Sequence, residues 1–333
     1  HPTAIRLYQR EIRILQQELS LRDQSDDWGL TEADQETRQV QALIIDLRQY
    51  IEDNLRDRAA LSLKFVGFRQ NYVRAVTEQE RQEQILALAL ALGAGRRKLK
   101  GDRRAFGRWF GYDAISERFH RHISLLDRRL TFALGRLGVI AAHLLKSTAE
   151  QADPQQLWRR MELESLLRPL FGFAGNTRIR IESFRCLSVS LQALPADRRE
   201  ASLSDMSLQY VYRTALERSQ DTWLQCEALS LLRALSPVSL DRALLQRLAH
   251  PQIGDDLFVR RHAVRLVGME LESRPTLGAL LEHVVEDPSP AVRQTLAHIL
   301  PKASDETVER LLPLLLRAEN EPAVRAAAVW SIS

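Results

Sequence analysis

Apolar residues recur along this chain in alternating steps of three and four, the spacing of an amphipathic helix, and no convincing run of period-two alternation is present. Ile5, Tyr8, Ile12, Leu15 and Leu19 draw one stripe over residues 3–22, the seam expected of a coiled-coil-like pair. Asp23 to Leu30 interrupts it with Ser25, three aspartates and Gly29. A second helix is expected from Thr31, whose hydroxyl can cap it, with Asp34 in the first turn and a stripe at Val40, Ile44, Leu47, Ile51 and Leu55. The short connection predicts that the two stripes face each other as an antiparallel hairpin, although the same seams could serve self-association. Gly67 is expected to bend or end the second helix. Thr77-Glu78-Gln79-Glu80 reads as a capping box opening a third helix over 78–92. Residues 93–112 form an irregular segment with five glycines. Asp113 is expected to cap a fourth helix to Lys146, with Phe119, Ile123, Leu126, Leu130, Leu134, Leu137 and Ala141 on one side. The polar stretch Ser147 to Pro154 predicts a boundary between an N-terminal helical hairpin or bundle domain, 1–150, and a second domain, 151–333.

Helix pairs recur in the second domain. First helices are expected at 155–171, 205–217, 239–249, 276–286 and 305–317, and second helices begin near Thr177, Thr222, Leu257, Pro290 and Pro322. The matched positions Arg180, Gln225, Arg260, Arg293 and Arg325 are separated by 45, 35, 33 and 32 residues, periods of a helical solenoid. The 45-residue step calls for an insertion, placed at Pro195 to Ser204. Asp-Pro-Ser-Pro-Ala-Val-Arg at 287–293 returns as Glu-Asn-Glu-Pro-Ala-Val-Arg at 319–325, each copy followed by an apolar helical run. The hinge proline suits a first helical turn, where its missing amide proton costs little. Ala326, Ala327 and Ala328 permit close helix approach, while Leu296, Ile299, Leu312 and Leu315 supply bulk.

An acidic or Asn turn, a Pro, then Val-Arg and an Ala-rich helix resembles the hinge of a HEAT repeat. The resemblance covers about 155–333 and is carried most strongly by the last three units; Gln225 departs from the usual arginine. It implies an all-α architecture in which the N-terminal bundle precedes a HEAT-like superhelix of about five pairs. It also implies a structural hinge role for Arg180, Arg260, Arg293 and Arg325, whose hydrogen bonds order neighbouring units.

Composition agrees with helix throughout: 45% of the residues are hydrophobic, and Leu, Ala, Arg, Glu and Gln dominate over few Gly and Pro. Cys186 and Cys226 lie within apolar helical patterns and are expected to be buried free thiols of a reducing, cytoplasmic compartment. The chain starts at His1 and stops at Ser333 partway through an expected helix, so a piece of a longer protein is expected. The apolar stretch Ile85 to Leu92 is far shorter than the ~20 residues that cross a bilayer. Charge is uneven: residues 1–150 carry a net of +5 and residues 151–333 a net of −1, and residues 96–136 alone hold twelve basic and four acidic side chains.

No residue set rises to a catalytic constellation, cofactor site or metal site. His120 and His122 fall about 200° apart on a helix, too far to share a metal. His250, His262, His283 and His298 are scattered, without the His-Glu-x-x-His spacing. Asp23, Asp26 and Asp27 lack the calcium-loop pattern. Gly93-Ala94-Gly95-Arg96-Arg97-Lys98 lacks the closing Gly-Lys-Ser/Thr of a phosphate loop, and no Gly-x-Ser-x-Gly elbow is present. The feature above background is Arg96, Arg97, Lys98, Lys100, Arg103, Arg104 and Arg108 preceding Trp109, Phe110 and Tyr112. Such a segment is a solvated loop, a contact for an acidic protein or anionic membrane surface, or a nucleic-acid contact.

The expected function is therefore a non-catalytic scaffold or adaptor that holds a protein segment on its solenoid face, its basic loop docking on an anionic surface. The alternatives are nucleic-acid binding, since HEAT-like DNA glycosylases of alkylpurine bases share the architecture, and the cytosolic regulatory part of a larger membrane protein or multidomain enzyme. Homo-oligomerisation through the N-terminal helices is a further expectation.

Overall fold

The computed structural model describes residues 32–93, 111–148, 153–217, 219–235, 237–249 and 256–331. The fold is all-α, with no strand among the described residues. Two long helices, α1 (Glu32–Arg74) and α3 (Tyr112–Ser147), come first, with the 14-residue α2 (Glu78–Ala91) between them. Twelve shorter ones follow: α4 (Pro154–Met161), α5 (Leu163–Phe171), α6 (Thr177–Leu191), α7 (Ala196–Arg199), α8 (Asp205–Leu216), α9 (Thr222–Leu235), α10 (Pro237–Leu248), α11 (Leu257–Glu270), α12 (Gly278–Val284), α13 (Pro290–Ile299), α14 (Asp305–Leu315) and α15 (Pro322–Trp330). The expected hairpin partner, 3–22, lies outside the described residues.

Local chemistry explains many of these boundaries. Thr77 and Glu80 form the expected capping box at α2, with Glu80 also accepting from the Val76 and Thr77 amides. Asn176, Ser204, Asp256 and Ser304 cap α6, α8, α11 and α14 through side-chain oxygens. Prolines occupy the first turn of α13 and α15.

Three expectations need correction. Gly67 does not end α1. The helix runs through it, because the neighbouring Phe65 and Phe68 are buried and outweigh the ~1 kcal/mol a helical glycine costs. The cap of α3 is Gly111, not Asp113, which sits in the first turn. The expected helix 155–171 is broken at Glu162, whose φ of 49° is left-handed. That conformation costs about 1–2 kcal/mol. It re-aims the chain so that Leu157, Trp158 and Met161 before the break and Leu163, Leu166 and Leu167 after it are all buried. The Glu162 carboxylate meets Arg48 of α1 at 2.9 Å.

The helices pack as two rows. The second helices contact one another in sequence, α6 to α9, α11, α13 and α15, and α3 extends this row at its N-terminal end. The first helices α8, α10, α12 and α14 form the other row and pack across onto the second. One apolar core runs from Ile44 and Ile51 of α1 through Leu134 and Leu137 of α3 to Val324 and Ala328 of α15. A smaller core joins α1, α2 and α3 around Phe65 and Phe119, stacked at 3.8 Å between centroids. α3 is long and apolar enough to span a bilayer by length and composition, yet Leu130, Leu134, Leu137 and Ala141 are wholly buried, as in a core helix.

Two kinds of contact fix how the rows meet. One is close approach. A Cβ added at Gly138 of α3 would lie 2.8 Å from the Cys186 Cα of α6, and one at Gly268 of α11 would lie 2.6 Å from Ile299 of α13. The other is a set of buried polar contacts at the matched register position. Arg180 donates from Nε to the Phe171 carbonyl at 2.6 Å, covering the C-terminal end of α5, and from Nη2 to Gln220 in the turn before α9 at 2.8 Å. Arg260 grips Asp287, in the turn before α13, through Nε at 2.8 Å and Nη2 at 3.2 Å. Arg293 donates to the Asp287 carbonyl, to Asn320 at 3.0 Å and to Glu321 before α15. Where Gln225 replaces arginine, Arg247 of α10 supplies the guanidinium, donating to the Ala215 carbonyl at the end of α8 at 2.7 Å and to Gln225 at 2.6 Å. Helix C-termini leave unpaired carbonyls and a partial negative charge, so a guanidinium there satisfies both. Arg325 occupies the same position in α15, half-buried.

A third node ties the long helices to the first pair. Arg58 of α1 contacts Asp127 of α3 at 2.5 Å; Asp127 also accepts from Asn176, whose other side-chain atom caps α6.

Two predictions follow from these contacts. Gly138→Ala pushes α3 away from α6 backbone that cannot yield, and should destabilise the fold by about 1–3 kcal/mol, read as a lower urea midpoint. Arg260→Ala strands the buried Asp287 carboxylate and should cost about 3–5 kcal/mol in the same titration. An Arg260→Ala midpoint within error of wild type would contradict the pairing described.

Candidate functional site

Arg96, Arg97, Lys98, Lys100, Arg103, Arg104, Arg108 and Trp109 lie outside the described residues. The histidines are dispersed: His120 packs edge-on against Phe65 and Phe119, and the His262 Nε2 is 2.8 Å from the Ser230 hydroxyl across α9 and α11. Burial holds His262 below the usual imidazole range, with Glu227 opposing and Arg265 assisting. Among the described residues no group of three or more His, Cys, Asp or Glu side chains converges as a metal site would.

The structure brings together a set of residues that sequence reasoning did not assemble. On the face of the second row, α11 presents Phe258, Arg261, Arg265 and Met269 at relative positions 0, 3, 7 and 11, one helical stripe. Phe258 is 49% exposed, and its ring lies 6.2 Å from that of Trp223 of α9, which is 62% exposed. The Thr222 hydroxyl donates to Asp256 at 2.6 Å, holding the two helix starts and hence the two rings together.

Beside this pair, α11 and α13 enclose a cleft of about 410 Å³ lined by Arg261, Arg265, Gln294, Thr295, His298 and Ile299. Arg261 donates from Nε to the Thr295 hydroxyl at 3.2 Å, and no carboxylate among the described residues lies within ion-pair distance of Arg261 or Arg265. Two other clefts are larger, but their charges are mixed. One, about 540 Å³, holds Asp127 with Arg128 and Arg178; the other, about 510 Å³, holds Glu286 and Glu319 with Arg293 and Arg317.

A signal for this site lies in the spacing of the matched positions. Counting one residue past the hinge gives Ile181, Cys226, Arg261, Gln294 and Ala326; five past gives Arg185, Ser230, Arg265, His298 and Trp330. Both cleft arginines fall in one helix, α11, and the Gln294 and His298 that face them stand at the same two offsets in α13, 33 residues on, so the site is assembled only when the two helices are aligned.

Both thiols are free and buried. No family model matches the sequence, and no curated protein matches it either.

Burial pushes both cysteine thiols upward, Cys226 to about 12. Above the unfolded thiol value of ~8.5 the unfolded chain loses protons that the folded chain keeps, so stability falls as pH rises. The loss should approach about 1.4 kcal/mol per pH unit for each thiol, and should disappear in a Cys186→Ala/Cys226→Ala variant compared by urea titration at about pH 8 and about pH 10.

Proposed function

We propose that the chain is a non-catalytic scaffold of HEAT-like helix pairs that holds a segment of another protein on the exposed face of its second row. The packing order of the helices, the recurrence of their starts and the guanidinium contacts at the matched position support the repeat reading. The observation that carries the binding role is the exposed Trp223–Phe258 pair, two large aromatic rings held side by side on one face rather than scattered. Aromatic side chains of this kind dominate the buried centres of protein interfaces. A face built from packed helices loses little freedom on binding, which favours affinity. The basic segment Arg96 to Arg108 serves as a second contact, to an anionic surface.

Photoreactive phenylalanine analogues test the choice of face. Placed at Trp223 or Met269 they should yield protein adducts in the source cell, whereas at Met206 or Val238, equally exposed on the first row, they should not. Equal yields from both rows would count against the reading.

A further inference from the structure

We infer that the α11–α13 cleft takes the carboxylate of an extended acidic segment whose neighbouring apolar side chain rests on the Trp223–Phe258 pair; the inference rests on the scaffold reading above. Charge argues for it first. α13 carries no acidic residue, and the acidic groups of α9 and α11 facing this surface are engaged elsewhere. Glu227 pairs with Arg185 and Glu270 with Arg233, while Asp221 and Asp256 accept from the amides that start their helices. Arg261 and Arg265 have no such counter-charge. Two guanidinia one helical turn apart, with the His298 imidazole and the Gln294 amide opposite, offer forked donors to a carboxylate, while the Thr295 hydroxyl, which donates to the Ala291 carbonyl, holds Arg261 by its Nε.

The spacing defines the ligand further. Phe258 to Arg265 is seven helical residues, about 10 Å, or roughly three residues of extended peptide. Met269, 56% exposed, extends the same stripe to ~16 Å from Phe258, roughly five extended residues. The segment recognised should therefore carry a bulky apolar residue, an Asp or Glu about three positions away, and room for a second apolar residue just beyond. A nucleic-acid strand fits less well. It needs cations in series along successive phosphates, whereas here the two guanidinia lie within one helical turn and are flanked on α11 by the apolar Phe258 and Met269.

The test is selection of a random peptide library displayed on phage against the whole chain, followed by affinity measurement with the leading synthetic peptide. The expected winners pair an aromatic or large aliphatic residue with an acidic one at about that spacing. Arg265→Glu, an exposed change whose thermal melting curve should match wild type, should weaken the leading peptide at least about tenfold and shift a fresh selection toward Lys and Arg. Trp223→Ala should weaken it while leaving the acidic preference intact. Winners whose binding ignores Arg265→Glu would overturn the cleft assignment but leave the scaffold reading standing. A library with no winners would overturn both. A labelled single-stranded oligonucleotide bound in an Arg265-dependent way, with no acidic peptide selected, would overturn the inference in favour of nucleic acid.

Discussion

The architecture depends on a spacing constraint: the second-row helices approach so closely that a methyl group does not fit between them at Gly138 or Gly268. Apolar burial supplies the driving force for stacking, but it is non-directional and tolerates sliding. Contact at this distance does not, because backbone meets backbone or a branched side chain. The buried polar contacts then become selective. Arg260 can satisfy Asp287 only in one register, and a slip by a single residue would leave a guanidinium and a carboxylate desolvated and unpaired. Close packing sets the distance between helices, and the charge pair sets the position along them.

The second pair shows that the requirement belongs to the position rather than to the residue type. Gln225 cannot supply a charged fork, and the α8 C-terminus would be left with unsatisfied carbonyls if nothing replaced it. Arg247, only 3% exposed, reaches in from the other row and donates both to Ala215 and to Gln225 itself, while the Gln225 side-chain amide donates to the Gln220 carbonyl at 2.8 Å. Two neutral or charged groups from different rows thus complete one network. An alanine at either place would break a contact whose other half is buried, and that is the expensive case.

Much of the fold was legible because its signals are local. Capping oxygens, hinge prolines and apolar spacing placed the starts of α6, α9, α11, α13 and α15, and the capping box placed α2. The failures share a different origin. Nothing near Glu162 in sequence announces a left-handed residue; the cause is burial on both sides of the break. Gly67 is helical because Phe65 and Phe68 hold it so. The Arg58–Asp127–Asn176 node joins residues 69 and 49 positions apart, and no periodicity encodes such a meeting. The candidate site was hidden for a related reason. Its two arginines sit four residues apart on α11, and the side chains that face them come from α13, about thirty residues on, so the cleft is not visible in either helix alone.

Exposed apolar residues occur on both rows, among them Met206, Val238 and Leu245 on the first and Trp223, Phe258 and Met269 on the second. Isolated exposed side chains carry little meaning, since much of any protein surface is apolar. What separates the second row is adjacency: two large rings 6.2 Å apart, on a stripe that continues into guanidinia without counter-charges. Neither feature is an ion pair between neighbouring helices, although Arg261 reaches the Thr295 hydroxyl of α13 and the two rings meet across α9 and α11. The rings are not in the core, and Arg261 and Arg265 contribute no ion pair to hold the units together, unlike Arg260 one position away. Adjacent residues on α11 have therefore taken opposite tasks, one pointing its charge into the joint between units and the others leaving theirs available on the surface. Stacking alone does not call for two guanidinia without a carboxylate beside exposed rings, and that asymmetry is what supports the proposed binding role of this face.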